Sequence, residues 1–318
     1  MKKLFYILNI ILALILIYII QYPKIQQGKI VKAKIAFYPS PASFPVFVAK
    51  EKGFFEKEKV DAEIIKTSLP EVIDELKRGK VDIVVGYPPI DFFIRQKEEI
   101  ENYKIIADVE DNEDFVYASL FGFGKLKEIK DIKNSLFYYP SQRMEGKFIG
   151  KKISENFGLN ISNIFEYQTV FPQIIEGAAL VYEPYRLFFL KRNIKVLVDD
   201  VFKEFFGEGS VIGSVLCSKV TLAYNRRAYE RFKVIWDESV DYIKNNPDEA
   251  KNLYIAYCVQ YLDADFLKED LESYELKLPR YKKTGEVSDL SYLTIVRILK
   301  NSGFIFTEPD LASLFEVK

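Results

Sequence analysis

The sequence predicts an α/β protein made of two sheet-and-helix units, preceded by an apolar segment at the amino terminus. Within residues 31–85, strand and helix patterns alternate in the order β-α-β-α-β, and the same order recurs over residues 121–200. Alternation of this kind is typical of mostly parallel sheets with right-handed crossovers. The chain has 318 residues, which is enough for two domains that each bury a core of their own.

The amino-terminal segment has the features of a membrane anchor. Two lysines precede seventeen residues, from Leu4 to Ile20, of which only Asn9 is strongly polar. As a helix they would span roughly 26 Å, close to the ~30 Å of a hydrocarbon core, and the preceding positive charges favour a cytoplasmic amino end. A cleaved signal peptide is the alternative, but no small-residue cleavage site follows. We therefore predict a signal anchor with its tether over residues 1–28, in a single-pass cell-membrane protein whose C-terminal part is extracytoplasmic.

The composition excludes several functions. The chain has no His, the commonest general base and metal ligand. Cys217 and Cys258 alone cannot hold zinc, and both occur in apolar runs that predict buried free thiols. Because 45 Lys and Arg balance 46 Asp and Glu, there is no excess of positive charge for nucleic acid. We expect no catalytic residue, no metal site, no cofactor and no nucleic-acid partner.

Local patterns define each element of the first unit. Apolar side chains alternate along residues 31–37, which predicts a strand, and Ser43 can cap the helix that follows. A second strand is predicted over residues 60–64. Residues 68–71 (SLPE) form a capping box that opens a second helix, and residues 81–85 have the composition of a buried strand.

The second unit repeats this order. A strand is predicted over residues 136–139, a helix over 144–157, and strands over 164–169 and 178–182, with a short helix over 171–176 between them.

The two units are predicted to be connected twice. Residues 115–120 can carry the chain from the first unit to the second, and residues 210–220 can carry it back. The last hundred residues are predicted to form helices that pack on the first unit. The predicted domains are therefore a discontinuous one over residues 29–118 and 211–318, and a continuous one over residues 119–210.

Candidate binding residues follow from the predicted sheets, because ligands bind beyond the carboxyl ends of strands in open parallel sheets. The loops at those ends carry hydroxyl groups, aromatic rings and prolines, with few charges. The candidates are Tyr38, Ser40, Ser43, Tyr87, Pro88, Ser141, Arg143, Glu183 and Tyr185.

Several of these candidates have two interpretations. Arg143 can grip a carboxylate or sulfonate through its guanidinium, or it is an ordinary surface arginine. Ser43 either contacts a ligand or only caps its helix. Glu183 either accepts a hydrogen bond from a ligand amine or hydroxyl, or fixes a hinge. The tyrosines either stack on a ligand ring or fill the cores.

Two segments near the start of the first unit resemble a known family. Residues 34–41 (KIAFYPSP) and 45–55 (PVFVAKEKGFF) are similar to the opening of the extracytoplasmic substrate-binding proteins for nitrate, sulfonates and thiamine-pyrimidine precursors. Residues 76–83 (LKRGKVDI), 181–185 (VYEPY) and 245–250 (NNPDEA) extend the similarity. These are type II periplasmic binding proteins that serve ABC importers.

The resemblance implies a two-lobed fold with a ligand cleft between the lobes. It implies ligand contacts in the loop from Tyr38 to Ser43, at Tyr87 and Pro88, at Ser141 and around Glu183. The expected function is a membrane-anchored protein that captures a small organic molecule (a sulfonate, a nitrate-like anion or a vitamin precursor) and delivers it to the permease of an ABC importer. The alternatives are an enzyme on the same fold, such as a dehydratase of menaquinone synthesis, or a ligand-binding sensory protein without transport.

Overall fold

A computed structural model describes residues 11, 12, 16, 29–96, 99–112, 114–167 and 174–315 of the chain. The predicted anchor from Leu4 to Ile20 lies almost wholly outside these residues, and so does the first half of the helix expected over 171–176. The described half of that segment, residues 174–176, is not helical. Within the described part, no helix is both long enough and apolar enough to cross a bilayer.

Eleven strands occur in the described residues: β1 (Val31–Phe37), β2 (Val60–Lys66), β3 (Ile83–Tyr87), β4 (Tyr103–Glu110), β5 (Ala118–Phe123), β6 (Phe137–Pro140), β7 (Ile164–Tyr167), β8 (Gly177–Tyr182), β9 (Lys195–Val198), β10 (Val211–Ser218) and β11 (Arg280–Tyr281).

The helices of the same residues are α1 (Phe44–Glu51), α2 (Phe54–Lys57), α3 (Leu69–Lys77), α4 (Pro89–Arg95), α5 (Met144–Phe157), α6 (Tyr185–Lys191), α7 (Val201–Phe206), α8 (Lys219–Tyr224), α9 (Arg226–Asn245), α10 (Pro247–Tyr261), α11 (Lys268–Glu272), α12 (Asp289–Asn301) and α13 (Leu311–Leu314). Short 3₁₀ turns occur at Pro41–Ser43, Ile100–Asn102, Ile129–Asn134, Ile161–Asn163 and Asp265–Leu267.

The described strands form two sheets, one in each lobe of the α/β fold. The first has the order β11-β4-β10-β3-β1-β2, and the second has the order β7-β6-β8-β5-β9. β1 pairs in parallel with β2 and β3, and β6 with β7 and β8. The predicted parallel core of each unit is therefore present, and antiparallel strands extend both sheets.

In each sheet, the strand that directly follows a crossing between the lobes is antiparallel to its neighbours. β5 is antiparallel to β8 and β9, and β10 is antiparallel to β3 and β4. Both strands follow segments that cross between the sheets, at residues 111–117 and 199–210. The residue boundaries predicted for the two domains stay a prediction.

Two predicted helix caps are wrong in detail. The Ser43 hydroxyl does not cap α1 but donates to the carbonyls of Tyr38 (2.6 Å) and Val85 (3.1 Å). The Ser68 hydroxyl donates to the Glu71 carboxylate at 3.1 Å instead of accepting from the backbone of α3. In both cases the hydroxyl acts as a donor, and its oxygen accepts no capping hydrogen bond from the helix backbone.

The close approach of Ser43 to β3 requires a glycine in that strand. Gly86 has φ of +74°, and a Cβ at that position would lie 2.1 Å from the Ser43 Oγ. Strand β3 begins two residues later than predicted and continues through Gly86 to Tyr87.

The helices of the C-terminal part cover the first sheet. Tyr229, Phe232, Trp236, Val240 and Ile243 form the buried face of α9, as their spacing predicts. This helix packs on α1 and on α10. Cys217 and Cys258 are completely buried, as expected from their apolar surroundings.

Candidate functional site

A cavity of about 270 Å³ lies between the two lobes. It is lined by Tyr38, Pro39, Pro140, Ser141, Gln142, Arg143, Val181, Tyr182, Glu183, Pro184, Tyr185, Tyr261, Leu262 and Asp263. The residues that follow β1 and the end of α10 come from the first lobe, and the residues that follow β6 and β8 come from the second. The carboxyl ends of three parallel-paired strands therefore converge on this cavity, as the strand-end rule predicts.

Arg143 lies in a cage formed by the rings of Tyr38, Tyr117 and Tyr182 (hereafter the tyrosine cage). Its Cζ lies 4.9, 5.8 and 4.0 Å from the three ring centroids. The guanidinium donates from Nε to the Tyr38 hydroxyl (2.9 Å) and from Nη1 to the Tyr117 hydroxyl (2.8 Å), and it is ion-paired with Glu145. Its side chain is only 6% exposed, so Arg143 is largely a buried structural cation and not a surface arginine.

Glu145 balances that cation from the first turn of α5. Burial raises the pKa of this carboxyl to about 7, and the Arg143 guanidinium acts in the opposite direction. The carboxyl of Asp91 lies close enough to raise the pKa of Glu145 further. The ion pair is therefore held in a region where two acidic side chains already repel each other.

Asp91 from the first lobe caps the helix of the second lobe. Its completely buried carboxylate accepts hydrogen bonds from the backbone N–H groups of Met144 (2.9 Å) and Glu145 (3.2 Å) at the start of α5. Arg95, one turn later on α4, pairs with Asp91 at 3.3 Å and donates to the Gln142 carbonyl at 2.8 Å. We call the contact between Asp91 and the start of α5 the interlobe cap.

Glu183 also lines the cavity. Its carboxylate accepts from Arg186 Nη1 at 3.2 Å, and Arg186 also binds Asp199 at 2.8 Å and the Ser119 hydroxyl at 2.5 Å. Burial raises the pKa of Glu183 to about 7, with Arg186 acting in the opposite direction. Glu183 therefore shares its counter-ion with a second carboxylate.

The lobes also touch at the outer edge of the cavity. The Tyr185 hydroxyl donates to the Leu262 carbonyl, and the Tyr185 ring stacks on Phe266 with a centroid distance of 6.5 Å. Lys191 donates to Ser273 at 2.8 Å, two turns along α6. Together with the interlobe cap, these contacts connect the two lobes.

Five of the nine predicted binding residues line the cavity: Tyr38, Ser141, Arg143, Glu183 and Tyr185. The other four, Ser40, Ser43, Tyr87 and Pro88, do not belong to its lining.

The four residues outside the lining serve the interior of the first lobe. Ser43 bonds the carbonyls described above, and the completely buried Tyr87 donates to the Leu69 carbonyl at 3.2 Å. Ser40 is buried and its carbonyl accepts from Tyr257 at 2.8 Å. Pro88 directly precedes α4. β3 runs two residues further than predicted, which places Tyr87 in the sheet instead of in a loop.

Other residues of the site were not anticipated. Tyr261, Leu262 and Asp263 line the cavity from the end of α10, far along the chain from the strand-end loops. Tyr117 accepts a hydrogen bond from Arg143, and Asp91 accepts one from the backbone at the start of α5. No local pattern marks these positions, because each acquires its role from an element of the other lobe or from the C-terminal helices.

Comparisons with known proteins agree with this architecture. The aliphatic sulphonate binding protein SsuA from Escherichia coli superposes with a TM-score of 0.67 at 13% identity, over 90% of this chain and 92% of that chain. SsuA from Xanthomonas axonopodis pv. citri, bound to MOPS, gives 0.68 at 11% identity over 91% and 99%, and the nitrate-binding protein NrtA from Synechocystis PCC 6803 gives 0.66 at 12% identity over 90% and 86%. At these identities the similarity shows the shared periplasmic-binding-protein fold.

The family is shown by the sequence itself. No curated protein matches the chain. The family model described as NMT1/THI5 like matches residues 40–250, well over half of the chain, and this range includes most of the segments that carry the predicted resemblance. The chain therefore belongs to the NMT1/THI5-like family.

Proposed function

We propose that this protein is the solute-binding component of an ABC importer, which encloses a small organic molecule between its lobes and presents it to the permease. The observation that carries the proposal is the cavity of about 270 Å³ lined by both lobes at the carboxyl ends of their strands. The similar proteins described above, which are sulfonate-binding and nitrate-binding proteins, support the same role. The proposed function is binding and not catalysis.

Ligand binding would act through the relative position of the lobes. The sheets are joined by two crossing segments, residues 111–117 and 199–210, which can serve as a hinge. A ligand that contacts Tyr38 on one lobe and Ser141 on the other stabilises the closed arrangement over the open one. The permease would then recognise the surface that only the closed arrangement presents.

The proposed ligand contacts are four of the predicted residues that line the cavity, Tyr38, Ser141, Glu183 and Tyr185, together with Tyr261. Arg143 also lines the cavity, but its guanidinium is bound by Glu145 and the tyrosine cage. The proposed ligand is a sulfonate, a nitrate-like anion or a vitamin precursor.

We also propose that the protein is held at the outer face of the cell membrane. The apolar segment from Leu4 to Ile20 and the lysines before it support this placement. In intact spheroplasts, an external protease should degrade the folded part while the amino terminus stays protected. Release of the whole chain from membranes by high salt would contradict the anchor.

The binding proposal is tested by thermal unfolding of the full chain in the presence of sulfonates, nitrate, carboxylates, aminopyrimidines and amines. A ligand at a hundred times its dissociation constant stabilises the folded state by about 2.7 kcal/mol. For lobes of this size, the melting temperature should rise by roughly 5 °C or more. A protein that is stabilised by none of these compounds, and whose small-angle scattering changes with none of them, would contradict the proposal.

A further inference from the structure

The described lining of the cavity contains more acidic than basic side chains. It contains one cation, Arg143, and two carboxyl groups, Glu183 and Asp263. The positive charge of Arg143 is already neutralised by Glu145, and the tyrosine cage covers the guanidinium. An anionic ligand would therefore gain little from Arg143, because Glu145 already balances the charge of this guanidinium. It would also be repelled by the nearby Glu145 carboxylate.

The start of α5 is the second place where an anion would be stabilised, because free backbone N–H groups and the helix dipole favour negative charge there. In this protein the Asp91 carboxylate accepts from the N–H groups of Met144 and Glu145. A side chain of the protein therefore occupies the position where an anion would bind.

Glu183 differs from these groups because its charge is only partly balanced. Among the described residues its cationic partner is Arg186, which lies nearer to Asp199 (2.8 Å) than to Glu183 (3.2 Å). Asp263 is less suitable for a ligand charge, because its side chain is 71% exposed at the rim and it pairs with Lys66 at 3.0 Å. Glu183 is only 12% exposed, so its interaction with a ligand cation would be weakly screened.

Four tyrosines form part of the remaining wall of the cavity, beside three prolines, Ser141, Gln142, Val181 and Leu262. The rings of Tyr38, Tyr182, Tyr185 and Tyr261 line it, and tyrosine rings attract cations to their faces. Arg143 already demonstrates this attraction within the protein, since its guanidinium lies 4.0 Å from the centroid of the Tyr182 ring.

We propose that the cleft selects a small organic cation, a primary ammonium group on an apolar or planar body, whose positive nitrogen binds between Glu183 and the tyrosine rings, and that it excludes anions. This inference rests on the proposed function, because it names the ligand class of the same cleft.

The test uses the purified full chain in detergent and compounds that share a carbon skeleton but differ in charge. For the benzyl skeleton these are benzylamine, benzyl alcohol, benzoate and phenylmethanesulfonate, and sets of linear and heteroaromatic skeletons complete the panel. Titration calorimetry at constant ionic strength should detect binding of amines, weaker binding of alcohols and no binding of carboxylates or sulfonates. Binding of anions in preference to amines would overturn the inference and leave the proposed function intact. If no skeleton binds in any charge state, the proposed function fails, and the inference fails with it.

Variants locate the ammonium group. Glu183→Gln should weaken amine binding about tenfold or more, because a buried charge-assisted contact is lost. The matched control Asp263→Asn removes the rim carboxylate and should change the affinity by less than about twofold, as expected for an exposed charge. Unchanged amine binding in Glu183→Gln, or loss confined to Asp263→Asn, would overturn the assignment. If Glu183→Gln lowers the melting temperature of the free protein severely, Tyr185→Leu provides the second variant, since loss of a ring should weaken amines more than alcohols.

Discussion

Arg143 is predicted from the sequence as a ligand contact, and its surroundings in the folded protein suggest a different role. The sequence offers only a serine, a glutamine and an arginine after a predicted strand, which is typical of an exposed loop. The folded protein surrounds that arginine with the tyrosine cage and pairs it with Glu145. Arg143 lines the cavity, yet most of its hydrogen-bonding capacity is used within the protein.

This arrangement predicts that Arg143 contributes mainly to stability. Arg143→Met should destabilise the fold by about 3–5 kcal/mol at pH 8, because it leaves the buried Glu145 carboxylate without a counter-ion. Equilibrium unfolding in urea measures this loss. At pH 5 the loss should be smaller, because the pKa of Glu145 is about 7 with its partner present and rises further without it, so the carboxyl becomes neutral.

The double variant Arg143→Met with Glu145→Gln is the control. Removing both charges should restore most of the lost stability, since neither group is then left unpaired. If Arg143→Met keeps wild-type stability and only ligand binding is lost, then Arg143 is a ligand contact and the cage is incidental.

At the scale of elements, α5 depends on a residue that is distant in the chain. The extent of α5 agrees with the prediction from its apolar spacing and from Gly158, whose φ of +75° ends the helix. No residue next to the start of α5 supplies a capping side chain. The cap comes from Asp91 on α4 of the other lobe. The same contact therefore stabilises a helix and joins the lobes.

Loss of the interlobe cap should open the cleft. Asp91→Ala removes a helix cap, which is typically worth about 0.5–2 kcal/mol, and it removes it only from the closed arrangement. We expect the ratio of closed to open molecules to fall about tenfold, with a larger radius of gyration in small-angle scattering of the ligand-free protein and weaker ligand binding.

Asp310→Ala is the matched control for this prediction. The Asp310 carboxylate caps α13 by accepting from the Ala312 N–H at 3.1 Å, without reaching the other lobe. This variant should lose local stability and keep the scattering profile of the wild type. Equal profiles for Asp91→Ala and the wild type would show that the other interlobe contacts hold the cleft closed on their own.

At the scale of the whole molecule, several buried carboxyl groups have raised pKa values. Burial raises the pKa of Asp108, Glu145 and Glu183 to about 7. Burial and the neighbouring Asp200 raise the pKa of Asp111 to about 8. In the unfolded chain, such groups titrate near pH 4.

These shifts predict that stability decreases as pH rises. Between about pH 4 and pH 8 the folded protein binds more protons than the unfolded chain, so the free energy of unfolding falls with pH. The stabilising contribution of each group is complete below about pH 4 and is lost as pH rises through 7 to 8. Scanning calorimetry at constant ionic strength should show a melting temperature several degrees lower at pH 8.5 than at pH 5.

A single substitution checks the origin of this slope. Asp108→Asn removes one of the titrating groups, which accepts a hydrogen bond from the Ser288 N–H at 2.7 Å. The variant should depend less steeply on pH than the wild type. A melting temperature that stays constant or rises between pH 5 and pH 8.5 would contradict the prediction.

The sequence by itself determined the elements and the family. Alternation predicted β1 and β2, apolar spacing predicted the buried face of α9, and glycine positions predicted helix ends, because these signals depend on neighbouring residues only. The strand-end rule also found Tyr38, Ser141, Arg143, Glu183 and Tyr185 as residues of one cavity, since it follows from the topology of any parallel sheet.

Only the tertiary structure decided which charges the cavity presents. The pairing of Arg143 with the tyrosine cage, the capping of α5 by Asp91 and the arrival of Asp263 from α10 each join positions that are distant in the chain. The charge of a buried group depends on every neighbour within a few ångströms, and a linear sequence does not specify those neighbours. For this reason the fold and the approximate place of the site follow from sequence patterns, whereas the sign of charge that the cleft offers a ligand follows from packing between the lobes.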